Sequence, residues 1–219
     1  MVYVRSVKGY YYLIEKRAGK DIYLESFGKI SKEKANDLLA EREARLKFKP
    51  IFRTIVIDPP WPMEKIRRDV APDQIDMDYK TMSIEEIKKF PINNFVQKDG
   101  CQIYVWTTQK FLPITFDILK GWGFDYFFTM IWHKNGGFQP FNLPQYNAEF
   151  VLFGSKGSLK FTTTKSFFCA FNANRKEHSR KPDEFYDLVK RVSPEPRIDI
   201  FSREKRDGFE QYGYEAGKF

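Results

Sequence analysis

Phe52-Arg53-Thr54-Ile55-Val56-Ile57-Asp58-Pro59-Pro60-Trp61 is the stretch that decides the fold, a short hydrophobic run that ends in an acid and two prolines. Residues 52–57 read as a strand, and the Pro-Pro pair ends it, because proline has no N–H to give a sheet ladder. Five more runs follow: Gln102 to Trp106, Phe124 to His133, Glu149 to Phe153, Phe167 to Phe171 and Arg197 to Phe201. Helical stretches lie between several of them. Ser83 caps Ile84 to Phe90, with Glu85 and Glu86 in the first turn; Thr108 precedes Gln109 to Trp122; Pro182 opens a helix through Arg191. The alternation predicts an α/β domain with an open, mostly parallel sheet and helices on both faces. In such sheets ligands bind beyond the strand C-termini, which is where Asp58 stands.

The first 48 residues differ in texture. Val2 to Arg5, Tyr10 to Glu15 and Ile22 to Phe27 are split by Lys8-Gly9 and Ala18-Gly19-Lys20, the pattern of a small antiparallel β-meander. A helix follows from Ser31, with Ala35, Leu38, Leu39 and Leu46 as its apolar stripe, until Pro50 stops it. The expected division is therefore a small module at 1–48, for nucleic-acid binding or for packing and dimerisation, and a larger α/β domain at 50–219.

Composition narrows the field. With 42% hydrophobic and 17% aromatic residues among 219, the chain can bury a core. No apolar run approaches the roughly 20 residues of a membrane span, and Met1-Val-Tyr-Val-Arg has no apolar signal core, so the expected compartment is the reducing cytoplasm with no membrane partner. Cys101 and Cys169 lie in apolar, strand-like surroundings and read as buried free thiols. Only His133 and His178 accompany them, so no metal is expected. The net charge is +8, and residues 1–50 hold 12 Lys+Arg against 7 Asp+Glu, which points towards a polyanion such as nucleic acid.

Asp58-Pro59-Pro60-Trp61 is the segment that carries chemistry. The exocyclic amine of adenine is a poor nucleophile because its lone pair is delocalised into the ring. A carboxylate at Asp58 and a carbonyl at Pro59 can each accept one N–H, which favours a tetrahedral nitrogen whose lone pair points at an electrophilic methyl. Trp61 could stack on the base and exclude water. The plainer alternative is a turn after a strand, with Trp61 in the core.

Around it stand Tyr79-Lys80-Thr81-Met82-Ser83, Ile103-Tyr104-Val105-Trp106-Thr107-Thr108, Trp122-Gly123-Phe124 and Ile131-Trp132-His133-Lys134. Glu149-Phe150-Val151-Leu152-Phe153-Gly154, His178-Ser179-Arg180-Lys181-Pro182 and Phe201-Ser202-Arg203 complete the set. In this order, from about Phe52 to Gly213, the sequence resembles the MT-A-seventy-like N(6)-adenine methyltransferases. The resemblance implies a Rossmann-like class I methyltransferase, S-adenosylmethionine as cofactor, and adenine in nucleic acid as acceptor. It implies catalysis by Asp58, Pro59, Pro60 and Trp61, and cofactor contacts from Ile57, Asp58, Lys181, Phe201, Arg203, Arg206, Tyr214 and Glu215. Substrate contacts are implied for Tyr79, Glu149, Arg175, His178 and Lys181. An acid at Glu149, at the start of a buried-looking strand, needs a partner such as Lys181.

The sequence also departs from the family pattern. Tyr214 stands where an amide is usual, and Lys47-Phe48-Lys49-Pro50 replaces the acidic stretch that some members use upstream of the first strand. There is no Gly-x-Gly-x-x-Gly loop. DNA is the favoured polymer. RNA, an inactive nucleic-acid-binding partner subunit, and a small-molecule methyltransferase stay open as alternatives, as does assembly into a homodimer or heteromer.

Overall fold

The computed structural model describes residues 2–8, 10–17, 20–29, 31–36, 52–62, 81–139, 142, 144–158, 160–175 and 180–213. The chain divides into two compact units, 1–49 and 50–219, and each is described by itself.

In the first unit, β1 (Val2–Val7), β2 (Tyr10–Arg17) and β3 (Lys20–Gly28) form an antiparallel sheet in the order β1-β2-β3. This is the expected meander, with strands a few residues longer than the hydrophobic runs. Ser31 begins a helical segment at 32–36: its Oγ accepts from Lys34 N at 3.2 Å and its carbonyl accepts from Ala35 N at 3.0 Å. The expected stripe of Leu38, Leu39 and Leu46, and the stop at Pro50, lie outside the described residues.

The second unit is a mixed α/β structure. Its strands are β4 (Thr54–Ile57), β5 (Gly100–Thr107), β6 (Asp125–Phe138), β7 (Tyr146–Gly157), β8 (Ala170–Ala173), β9 (Arg197–Ile200) and β10 (Glu210–Tyr212). Its helices are α1 (Ile84–Lys88), α2 (Leu112–Gly121) and α3 (Asp183–Val192). The seven strands form one sheet, ordered β10-β9-β4-β5-β7-β6-β8. All four residues of β4 and all four of β9 are buried, as expected of central parallel strands covered on both sides. Alternation along the strands builds two cores. Ile55, Ile57, Ile103 and Val105 join Ile87 of α1 and Ile118 and Leu119 of α2; Val56, Tyr104 and Trp106 join Phe185 and Val189 of α3 on the other face.

Several local expectations hold. Ser83 caps α1 in a full capping box with Glu86, its Oγ accepting from Glu86 N at 3.2 Å while the Glu86 carboxylate accepts from Ser83 N at 2.8 Å. Pro182 is the N-cap of α3, with Asp183 and Glu184 in its first turn.

Others need correction. The helix expected from Gln109 begins at Leu112, because Thr108 O accepts from both Phe111 N and Leu112 N and so closes a turn first. The strand expected at Phe167 to Phe171 lies at Ala170–Ala173. Phe167 packs against Phe128 and Phe161 from a loop, so its apolar character serves the core and not a strand. Cys169 is exposed, just before β8, while Cys101 is buried as expected.

The sheet is mostly parallel, but β7 runs antiparallel to both β5 and β6. A connection of only residues 139–145 joins β6 to β7, too short for the crossover that a parallel pair requires. The chain moves outward from β4 through β5, β6 and β8, then returns through α3 to lay β9 on the other side of β4. The strand order therefore reverses at β4 and β9. A crevice opens at such a switch point, beyond the carboxyl ends of the strands.

Candidate active site

Asp58 follows directly from β4, and its amide donates to Ile200 O at 3.2 Å, which ties it to the end of β9. Its carboxylate meets Lys181, with Nζ 3.1 Å from Oδ2. Lys181 stands two residues before α3, and its Nζ also donates to Glu149 Oε2 at 2.8 Å. Lys134 holds the other oxygen of Glu149. The result is an alternating chain of charges, Asp58, Lys181, Glu149 and Lys134, whose side chains are 26%, 12%, 17% and 13% exposed. The partner that buried Glu149 needs is thus Lys181, joined by Lys134.

Glu149 reaches this place because β7 is antiparallel. Its early residues lie at the sheet edge where the parallel strands end, with Phe150 paired to Thr107 at the end of β5. Trp132 of β6 lies opposite Glu149. Lys134 Nζ sits 5.0 Å from the Trp132 ring centroid and Lys181 Nζ 4.9 Å from that of Trp106, while the two indoles meet edge to face at 6.0 Å. Both ammonium groups therefore rest on aromatic faces as they grip one carboxylate.

Burial and neighbouring charge set the ionisation of the cluster. Burial raises the Asp58 carboxyl above the ordinary aspartate range; Lys181 opposes that rise and Glu149 adds to it. Burial also penalises ionised Glu149, but Lys181 and Lys134 outweigh it and bring its pKa down to about 2. Burial disfavours a charged Lys181, yet Asp58 and Glu149 prevail and hold it protonated above the usual lysine range. Glu149 and Lys181 are thus each held in the charged form, while Asp58 stands between the opposing effects of burial and Lys181.

Behind it lies a second polar group. Asp199 of β9 is 1% exposed, and burial pushes its pKa up to about 7 against the pull of the Tyr186 hydroxyl, Arg206 and Ser202. The Arg206 guanidinium lies over the Tyr186 ring at 3.8 Å, is 3.6 Å from Asp199 and donates to Lys181 O at 3.3 Å. It also pairs with Glu204, which Arg180 engages as well. Arg206 thus locks the turn after β9 to the segment that carries Lys181.

The other sequence-assigned residues fall in several places. Ile57 is fully buried in the core at the end of β4. Trp61 is 5% exposed, stacked on Phe111 at 4.9 Å and donating through Nε1 to Trp106 O at 3.2 Å. The indole anchors the Pro-Pro loop in the core, as in the plainer of the two readings of the sequence. Pro59 O accepts from Trp61 N at 2.8 Å, and Pro60 O accepts from Met82 N at 2.8 Å. The Pro59 carbonyl is therefore fixed in direction and keeps one lone pair for another donor. Phe201 takes a left-handed φ of 66° as β9 ends, and its N–H donates to Tyr212 O. A side chain on Gly213 would meet the Phe201 backbone at 3.0 Å, so glycine is required for β9 and β10 to approach this closely. Arg203 lies near enough to Asp58 to favour its ionised form. Arg175 is exposed beyond β8. Tyr79, His178, Tyr214 and Glu215 lie outside the described residues.

Lys134, Trp106, Trp132 and Asp199 were assigned no role from the sequence. Lys134 had one available signal, in that a buried acid flanked by two lysine-bearing motifs invites a pair of partners. Among the described residues no group of three or more His, Cys, Asp or Glu could hold a metal ion. Nor is any described helix long and apolar enough to cross a membrane.

Comparison with known proteins agrees with the motifs. The chain is 28% identical over 161 residues to an N(6)-adenosine-methyltransferase MT-A70-like protein of Drosophila melanogaster, covering 69% of this chain and 24% of that protein. It is 24% identical over 185 residues to the Type II methyltransferase M.MunI of Mycoplasma sp, covering 75% of this chain and 77% of that one. To the human N(6)-adenosine-methyltransferase catalytic subunit METTL3 it is 25% identical over 160 residues, covering 69% and 26%. The chain thus spans about a quarter of the adenosine methyltransferases and about three quarters of M.MunI. The MT-A70 family model matches residues 52–215, from just before β4 to just past β10 and across every element of the charged site. With three quarters of its length matched in this way, the chain belongs to the MT-A70 family of S-adenosylmethionine-dependent N6-adenine methyltransferases.

Proposed function

We propose that this chain transfers a methyl group to the N6 amine of adenine in nucleic acid, with DNA the favoured polymer, and that residues 50–219 are a Rossmann-like class I methyltransferase domain. The observation that carries the reading is Asp58, an acid fixed at the β4/β9 switch point with Lys181 at 3.1 Å. DNA is favoured because the match runs through 77% of M.MunI but only about a quarter of the adenosine methyltransferases. Residues 1–48 are proposed to add affinity for the polymer.

S-adenosylmethionine would bring a methyl group on a cationic sulfur, beside an ammonium and a carboxylate. The groups at the crevice suit such a molecule: carboxylates at Asp58 and Glu149 for its cations, and Lys181, Arg203 and Arg206 for its carboxylate. Ile57 and Phe201 would pack at its edge, with Tyr214 and Glu215 reaching its hydroxyls.

On the acceptor side, Asp58 accepts one N–H of the amine and the free lone pair of the Pro59 carbonyl accepts the other. The nitrogen lone pair is thereby turned out of the ring. S-adenosylmethionine would supply the methyl group and leave as the neutral thioether, and the nitrogen, cationic once methylated, would lose its proton to water. Lys181 favours the ionised form of Asp58 against burial and Glu149 keeps Lys181 in place, so the acceptor is positioned before transfer. Tyr79, Glu149, Arg175 and His178 are assigned to the target base and its flanking phosphates.

The test incubates the purified chain with methyl-labelled S-adenosylmethionine and, separately, single-stranded DNA, duplex DNA and RNA, and identifies the modified nucleoside by mass spectrometry. N6-methyladenine in one polymer, absent with Asp58→Ala, is the expected outcome. If no polymer is methylated and the cofactor does not bind, the reading is lost and the chain becomes a partner subunit.

A further inference from the structure

The small sheet of the first unit sorts its residues by face. Register pairs Val7 with Tyr10, Arg5 with Tyr12, and Tyr3 with Ile14, which in turn lies opposite Tyr23. Among the described side chains, strand register and alternation therefore place Arg5, Val7 and Tyr10 on one face, and Ser6 and Tyr11 on the other. The first face is open where its side chains are described: Arg5 is exposed, Val7 is 37% exposed and Tyr10 41%. Lys29 Nζ lies 5.4 Å from the Tyr10 ring centroid, and Lys8, in the turn between β1 and β2, is exposed.

We infer that this tyrosine-bearing face docks single-stranded nucleic acid. The inference rests on the proposed nucleic-acid substrate and assigns part of its binding to the first unit. Charge complementarity favours a polyanion, since Lys29 lies over Tyr10 and Arg5 and Lys8 are exposed on β1 and in the turn that follows it, within a segment that holds 12 Lys+Arg against 7 Asp+Glu. The aromatic content decides strand type. An exposed ring on a sheet face is a platform on which an unpaired base can stack, whereas the bases of a duplex are already stacked on one another. Lysine and arginine beside the ring hold the phosphates that thread between stacked bases. A strand held in this way presents unpaired adenine, which methyl transfer at N6 requires.

The experiment uses the full chain. Fluorescence anisotropy measures binding of a labelled single-stranded 20-mer and of the same sequence as a duplex, at two salt concentrations, for the wild type and for Tyr10→Ala, Tyr10→Phe and Lys29→Ala. Circular dichroism confirms that each is folded. Tyr10→Ala should weaken single-strand binding about tenfold while Tyr10→Phe retains it, because stacking needs the ring and not the hydroxyl. Lys29→Ala should lower the salt dependence of that binding by about one phosphate contact. Single-strand binding indifferent to Tyr10→Ala overturns the inference, as does a wild type that binds the duplex as tightly and loses both in parallel. Calorimetric binding of S-adenosylmethionine and methyl transfer, measured on the same samples, separate this inference from the activity. If Tyr10-dependent binding persists without transfer, the activity fails and the docking face stands; if transfer occurs with binding indifferent to Tyr10, the reverse holds.

Discussion

Lys181 Nζ lies 3.1 Å from Asp58 Oδ2 although 123 residues separate them, and this contact sets the ionisation of the acid that follows β4. Burial raises the Asp58 pKa, and the Lys181 ammonium is the first force against that rise. Lys181 is in turn steadied by Glu149 at 2.8 Å and by the Trp106 ring. Asp58 is thus an acceptor whose charge depends on a lysine from the far side of the chain.

Lys181→Met removes that support. Asp58 would then protonate at higher pH, because burial and Glu149 both push its pKa upward once the cation is gone. Methyl transfer at pH 7 should fall by about 100-fold. The acid limb of the rate profile should move to higher pH, with Lys181→Arg shifting it less. An acid limb that stays where it is in the wild type would show that Lys181 does not act through Asp58.

Asp58→Ala removes the acceptor itself. Transfer should drop by about 1000-fold, in line with the loss of a preorganised group at the reacting atom. The fold should survive, because Lys181 keeps its bond to Glu149 and the loop stays anchored by Trp61. A melting temperature near that of the wild type, together with lost turnover, is the expected pair of results. Turnover near the wild-type rate contradicts the role given to Asp58.

Asp199 makes stability fall as pH rises. Its pKa is raised from an ordinary carboxyl value to about 7, so between pH 4 and 7 the folded chain binds this proton more tightly than the unfolded chain does. Stability from this group is full below the unfolded pKa and is lost as pH rises through 7. Asp199→Asn should remove that slope and gain on the order of a few kcal/mol over the wild type at pH 8. Chemical denaturation at pH 5 and pH 8 measures it; equal differences between variant and wild type at both values would contradict the assignment.

Glu149 acts in the opposite direction and in a different window. Its pKa is lowered to about 2, so its contribution is present above the ordinary glutamate pKa and disappears as pH falls from about 4.5 towards 2. Glu149→Gln should destabilise the chain by about 3 kcal/mol at pH 7 and by much less at pH 2.5. Unfolding midpoints at the two pH values decide the matter, and a cost that does not change with pH would assign the loss to packing instead.

The two thiols should separate cleanly. Cys101 is buried with its pKa pushed up to about 12, whereas Cys169 is exposed. A maleimide reagent should modify one cysteine in the native chain and two in denaturant. Mapping the native adduct to Cys101 would contradict the burial pattern.

Much was legible in the sequence because it is written in short-range patterns. The apolar run ending in Asp58-Pro59-Pro60, the capping box at Ser83 with Glu86, the Pro182 start of α3 and the antiparallel meander each depend on neighbours within a few residues. The open α/β sheet was legible too, since alternating strands and helices constrain one another through handed connections. The motif order also placed the chain in its family before any contact between distant residues was known.

The tertiary structure decided what depends on register and direction. Only strand pairing turns β7 antiparallel, and only that reversal brings Glu149 to the edge where Asp58 and Lys181 meet. The same packing takes Trp61 into the core and commits Arg206 to Tyr186, Asp199 and Glu204. It also turns Lys134, Trp106 and Trp132 into neighbours of the site. A sequence states which side chains can be charged or aromatic. Which of them share one dry crevice, and therefore shift one another's pKa, follows from how strands far apart in the chain align, because Coulomb and burial effects fall off over a few ångströms of space and are blind to separation along the sequence.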